Sequence, residues 1–273
     1  LAQMQFMPRT RKLIGRNGVT FNRYYVNYPI CCPSRVSLMT GSYVHNHGVI
    51  INKLPYSYFG FRERPVFHNN IATWLQAAGY RTVHIGKFIN HYGETGLEEI
   101  PPGWTDWVTV TGDADARKYY DYRVNENGTV RLETRYSAQF VTDTAVAKIK
   151  HAATEGNPFF MQLDYNAPHA EANGSIIGPR PEPRFAKKFK KLRLPKPPSF
   201  NEKRVRDKPY FISHLRPLNK AQERWMTENW RNSARALQSV DVGVNRIIKA
   251  LRRTGQLKNN YVIFISDNGF FFG

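Results

Sequence analysis

Apolar positions recur along this chain with two periods, and the switches between them lay out helices and strands. Phe140, Val141, Ala145, Ile149, Ala152 and Ala153 share one helical face, and Gly156 follows as a stop. A longer stripe runs through Trp230, Ala234, Leu237, Val240, Val244, Ile248 and Leu251 and closes at Gly255, while Asn219 and Gln222 have capping-box spacing at its start. Shorter helices are predicted over Met4–Arg16, ending at Asn17-Gly18, and over Asn70–Ala78, with Ile71, Trp74, Leu75 and Ala78 inward and Gly79 as the stop. Ser34–Thr40 reads as a helical turn closed by Gly41. Strand patterns fall at Val19–Val26, Tyr80–Phe88, Pro158–Leu163 and Tyr261–Ile265; the last is almost wholly apolar and predicts a central strand. Tyr119–Arg131 predicts a hairpin around Asn127-Gly128. Helices alternating with buried strands imply an α/β sandwich with a largely parallel sheet, one domain over residues 1–273. Ligands of such sheets bind beyond the carboxyl ends of the strands, which directs attention to Cys31 with Arg35, Lys87, Asn166 to His169, and Asp267-Asn268.

Composition changes this picture in three places. With 273 residues, 41% of them hydrophobic, the chain can bury a substantial core, and it has no apolar run of membrane-spanning length. The first residue is Leu1 and the last, Gly273, lies just past an apolar run, so both ends are expected to be cut, and no signal peptide is visible. The net charge of +19 predicts an anionic partner, and Pro179 to Lys208 concentrates it: twelve Lys and Arg, three acids and six prolines. That composition predicts an extended surface loop, either merely solvated or making many weak contacts with a polyanion. The only cysteines, Cys31 and Cys32, are adjacent and imply no disulfide framework.

Cys31-Cys32-Pro33-Ser34-Arg35, continuing to Thr40-Gly41, resembles the Cys-x-Pro-Ser-Arg signature of the formylglycine-dependent sulfatases. The resemblance implies an alkaline-phosphatase-like α/β/α sandwich with a mostly parallel central sheet, here truncated at both ends. It implies that a maturation enzyme oxidises Cys31 to formylglycine, with Cys32 in the variable position. The chemistry explains such a residue: one hydroxyl of the hydrated aldehyde attacks sulfur, and loss of the proton from the other expels sulfate, so covalent catalysis divides one hard displacement into two easier ones. Arg35, four residues on, is within helical reach of the nucleophile.

A second segment, Gly79-Tyr80-Arg81-Thr82 through Ile85-Gly86-Lys87-Phe88, resembles the second signature of that family and gives Lys87 the role of a cation on the sulfate oxygens. Ile89 stands where many members carry a histidine, and Asn90 follows. This pattern, with His45-Asn46-His47, is similar to the N-acetylglucosamine-6-sulfatases and extracellular heparan endosulfatases. His45 and His47 would share one side of an extended segment and face substrate. Asn166-Ala167-Pro168-His169 resembles the segment that supplies an active-site histidine, so His169 is the candidate general acid. Asp267 and Asn268 match two oxygen ligands of a calcium ion, which the formylglycine at position 31 would complete together with an Asp pair lying before Leu1.

The implied activity is hydrolysis of sulfate esters, of a sulfated carbohydrate such as N-acetylglucosamine 6-sulfate or of an aryl sulfate. A phosphate or phosphonate monoester hydrolase of the same fold, and a non-catalytic polyanion-binding domain, are the alternatives. No nucleic-acid partner is implied. The family suggests a secreted, lysosomal or periplasmic protein, and Asn127-Gly-Thr and Asn173-Gly-Ser are candidate glycosylation sites.

Overall fold

The structure is a computed structural model that describes residues 2–270 and 272, apart from 95, 97, 98 and 172–177. The Asn173 sequon lies outside the described residues. One sheet contains β1 (Arg81–Lys87), β2 (Asp106–Val110), β3 (Tyr122–Glu126), β4 (Thr129–Glu133) and β5 (Phe159–Asp164), in the order β4-β3-β2-β1-β5. β1 pairs in parallel with both β2 and β5, and the β3–β4 hairpin extends the sheet antiparallel beyond β2. Asn127 and Gly128 make the hairpin turn, both at positive φ, as the Asn-Gly pair predicts.

Alternation along the strands divides the core in two. On one face Val83, Ile85, Val108 and Val110 meet Phe140, Val141, Ala145 and Ile149 of the Ser137–Glu155 helix and Leu237, Val240, Val244, Ile248 and Leu251 of the Lys220–Arg253 helix. On the other, Trp107 and Phe88 meet Cys32, Val36 and Met39 of the Cys31–Thr40 helix, with Tyr58, Phe61 and Phe67. The result is the expected α/β/α sandwich. Asn219 and Gln222 form the predicted capping box, every residue of the long stripe is buried, and Gly41 and Gly156 close their helices at positive φ. The buried carboxylate of Asp241 in the long helix accepts the Thr10 N–H (2.8 Å) and hydroxyl (2.9 Å), fixing the run of helical turns from Ala2 to Gly15.

Four expectations need correction. Val19–Val26 forms turns and irregular backbone with Phe21 and Tyr25 exposed. Tyr261–Ile265 is irregular as well: Val262 and Phe264 rest on the core, whereas Tyr261 is 100% exposed. Neither segment has a strand beside it among the described residues, and β propensity without a ladder does not make a strand. The same cause leaves β5 only half-buried, since β1 pairs with it and no other described strand does. In the Ile71–Ala77 helix Ala72 is buried and Ile71 packs on the core as predicted, while Trp74 is half exposed, its indole N–H donating to Asn69 Oδ1 (2.6 Å). Gly103 runs so close to this helix that a Cβ on it would lie 2.4 Å from the Thr73 backbone nitrogen, so glycine is required there. Finally, Pro179–Lys208 is the expected surface segment of turns and irregular backbone, but it is anchored. Leu194, Phe189, Leu192 and Phe200 pack with Phe6, Trp230 and Ala234 in a third apolar cluster, strapping the segment to the long helix.

Candidate active site

Cys31 is the first residue of its helix, 9% exposed, where unpaired backbone N–H groups favour a thiolate. The Cys32 N–H is satisfied by Asn52 Oδ1 at 2.8 Å. Burial pushes the Cys31 thiol up; a hydrogen bond from His169 and the charges of Lys87 and Arg35 overcome this, with Asp267 opposing, so its pKa falls to about 6. Asn268 Nδ2 donates to Cys31 Sγ at 3.5 Å. Cys32, one residue on, faces the apolar core and donates to Asn90 Oδ1 (3.4 Å), and burial raises its thiol to about 12. The two adjacent cysteines are thus opposite in character, one turned to a cationic cleft and one to the core.

The chain brings the other residues to Cys31 from three strand or segment ends. Lys87, 4% exposed, ends β1. Gly86 just before it sits at φ +111, and a Cβ there would lie 2.2 Å from the Asp164 carbonyl oxygen, so only glycine lets β1 and β5 close up at this point. His169 follows β5 on a turn held by Asn166, whose amide accepts from Ser137 (2.6 Å) and donates to the Lys118 carbonyl (2.7 Å). The His169 ring donates from Nδ1 to the Ala170 carbonyl at 2.7 Å.

Arg35 is the hub. Its Nε donates to Asp267 Oδ2 (2.8 Å), and its Nη1 donates to the Lys87 carbonyl (2.8 Å) and lies 3.3 Å from Asp164 Oδ1. Buried among these acceptors, it is held charged despite burial. Asp164 in turn accepts from His84 Nε2 (3.0 Å) and Gln162 Nε2 (2.7 Å). His84 stacks on Trp107, and its Nδ1 accepts from the Thr109 hydroxyl at 2.6 Å. Burial lowers the His84 pKa, so the neutral ring donates to Asp164, while Arg35 and His84 together outweigh burial and hold the Asp164 carboxylate down.

His84 and Asp164 were absent from the sequence reading. The available signal was a histidine between Val83 and Ile85 in a buried strand and an Asp at a strand's carboxyl end, diagonal neighbours in the β1–β5 register.

The extended, one-sided arrangement expected for His45 and His47 is corrected. They lie on the Val44–His47 helix, where residues two apart point to nearly opposite sides. His45 is exposed and stacks on Tyr43, whereas His47 is 0% exposed. His47 Nδ1 accepts the Val49 N–H (3.1 Å) and Nε2 bonds Ser37 Oγ (3.0 Å). Replacing His47 by Ala should cost about 1–3 kcal/mol of stability, read in a thermal melt, and leave KM for a small substrate unchanged. A raised KM at unchanged stability would return His47 to the substrate.

Asp267 and Asn268 offer the hard oxygen donors that calcium prefers: Arg35 claims Asp267 Oδ2, and the Asn268 amide nitrogen faces Cys31, leaving one oxygen of each. The donor type fits. The number does not, because no three His, Cys, Asp or Glu side chains are grouped for a metal among the described residues.

The chain thus has an α/β/α sandwich with a parallel core of three strands and, beyond their ends, a buried cysteine beside a cluster of cations, and residues 2–272 match the Sulfatase family. The chain belongs to that family. It is 34% identical, over its whole length, to a Caenorhabditis elegans protein described as a homologue of the extracellular sulfatase Sulf-1, and 32% identical to the human N-acetylglucosamine-6-sulfatase. It spans 38% and 49% of those two proteins. In fold it is similar to a protein solved with its substrate D-glucosamine-2-N,6-O-disulfate, with a TM-score of 0.69 and 20% identity over 93% of this chain and 58% of that one. No helix among the described residues is long and apolar enough to cross a membrane.

Proposed function

We propose that the protein hydrolyses sulfate esters of sulfated sugars, with N-acetylglucosamine 6-sulfate as the model substrate, through a formylglycine made from Cys31. The observation that carries this reading is the convergence of Arg35, Lys87, His169, Asp267 and Asn268 on the Cys31 thiol in a chain of the Sulfatase family. The name of the human relative supports the sugar, and the extracellular Caenorhabditis elegans one supports a compartment outside the cytosol, whether secreted, lysosomal or periplasmic.

Once formed by a maturation enzyme, the hydrated formylglycine supplies a hydroxyl nucleophile and a second hydroxyl to collapse the ester. The residues of this chain divide the remaining work. Lys87, a compact cation at the end of β1, meets the sulfate oxygens as charge builds on them. Arg35, fixed by three acceptors, holds the nucleophile's side of the site rigid. His169 gives its Nε2 proton to the departing sugar oxygen. Asp267 and Asn268 would be two ligands of a calcium ion, whose charge would polarise a sulfate oxygen.

The test is turnover by the whole protein produced with a formylglycine-generating enzyme. N-acetylglucosamine 6-sulfate should be cleaved far faster than the corresponding 6-phosphate. Preference for the phosphate ester would replace this reading with a phosphomonoester hydrolase.

A further inference from the structure

The basic segment is ordered, and its ordering sorts its charges. Apolar anchors alternate with cations: Phe189, Leu192 and Leu194 turn into the cluster under the strap, while Lys187, Lys190, Lys191 and Arg193 are exposed. The long helix fastens the strap by its backbone, Arg235 donating to the Lys188 carbonyl (2.7 Å) and Arg231 to the Leu192 carbonyl (2.9 Å). Some cations of the segment are occupied: Arg184 pairs with Glu182, Lys196 with Glu223, Lys208 with Asp207, Arg180 with Glu171, and Lys188 donates to Gln238. Lys187, Lys190, Lys191, Arg193, Lys203, Arg204 and Arg206 have no carboxylate partner among the described residues.

Exposed cations held close together without counter-ions repel one another, and their mutual repulsion is relieved by a multivalent anion. The packed backbone also lowers the ordering entropy that binding must overcome. The strap starts at the rim of the candidate site. Arg180 ion-pairs at 3.7 Å with Glu171, two residues beyond His169, and its carbonyl accepts from Tyr136, which precedes the helix that holds Asn166.

We infer that the strap, chiefly Lys187, Lys190, Lys191 and Arg193, is a docking surface for a sulfated polysaccharide whose sugars are delivered to the site. This rests on the proposed sulfated-sugar substrate. A sulfated chain presents many anions to these unpaired cations, whereas a single small sulfated sugar has too few charges to use them.

The experiment uses the whole protein and a variant with Lys187, Lys190, Lys191 and Arg193 changed to Ala, next to one with Lys187, Lys190 and Lys191 changed to Arg. Binding of heparin is measured by calorimetry over a salt series, and turnover of N-acetylglucosamine 6-sulfate is measured separately. The Ala variant should bind heparin about tenfold or more weakly, with a shallower salt dependence, and keep its melting temperature and small-substrate turnover. The Arg variant should bind like the parent. Unchanged heparin binding by the Ala variant, equal loss of small-substrate turnover, or equally tight binding of duplex DNA by the parent would each overturn the assignment. A parent that binds heparin through these residues but cleaves no sulfate ester would sink the proposed activity and leave the surface standing.

Discussion

Cys31→Ala should abolish hydrolysis of N-acetylglucosamine 6-sulfate, by at least about 10⁴-fold, with little change in melting temperature. The residue stands at a helix start with its sulfur turned to the Asn268 amide and the His169 ring, so its removal takes away the nucleophile and little packing. Cys32→Ala should do the reverse. Its sulfur is 0% exposed, packs with Val36 and Met39 and donates to Asn90, so its loss should cost about 1–2 kcal/mol of stability and leave turnover nearly intact. The pair is decisive because the residues are adjacent and chemically identical. A Cys31→Ala protein that still turns over, or a stable but inactive Cys32→Ala protein, would show that the wrong sulfur has been chosen.

Arg35→Leu should be the most destabilising single change in the site. The guanidinium holds two carboxylates, Asp164 and Asp267, and the Lys87 carbonyl. Removing it leaves two carboxylates facing each other with their charges uncompensated, at a cost of about 3–5 kcal/mol in urea unfolding. Because Asp164 keeps its hydrogen bonds from His84 and Gln162, Asp164→Asn on the Arg35→Leu background should recover part of that loss. Strict additivity of the two changes would mean that Arg35 and Asp164 do not interact in solution.

What the sequence disclosed follows from the range of the interactions involved. The stripe from Trp230 to Leu251, the Asn219 capping box, the Asn127-Gly128 turn and the β1 strand depend on neighbours along the chain and were legible. The Cys31 and Lys87 segments were legible as motifs of rare composition. Tyr261–Ile265 has the apolar content of a buried strand, but strand formation requires a partner that the pattern does not encode. His47 failed for a local reason: two histidines at alternate positions look one-sided only if the backbone is extended, and here it is helical. The His84–Asp164–Arg35 chain is a contact among residues up to 129 positions apart in sequence, joined through strand register and a glycine that admits close approach. The strap misled because prolines and charge suggest solvent, while Phe189, Leu192 and Leu194 are the residues that decide its packing.

The central claim is that Cys31 becomes the catalytic aldehyde. Its most direct test is mass spectrometry of the peptide holding Cys31 and Cys32, from whole protein produced with a formylglycine-generating enzyme and active on a sulfate ester. The account predicts an aldehyde at position 31, trapped by a hydrazine reagent, beside an unmodified thiol at position 32. An intact Cys31 thiol in fully active protein would contradict it.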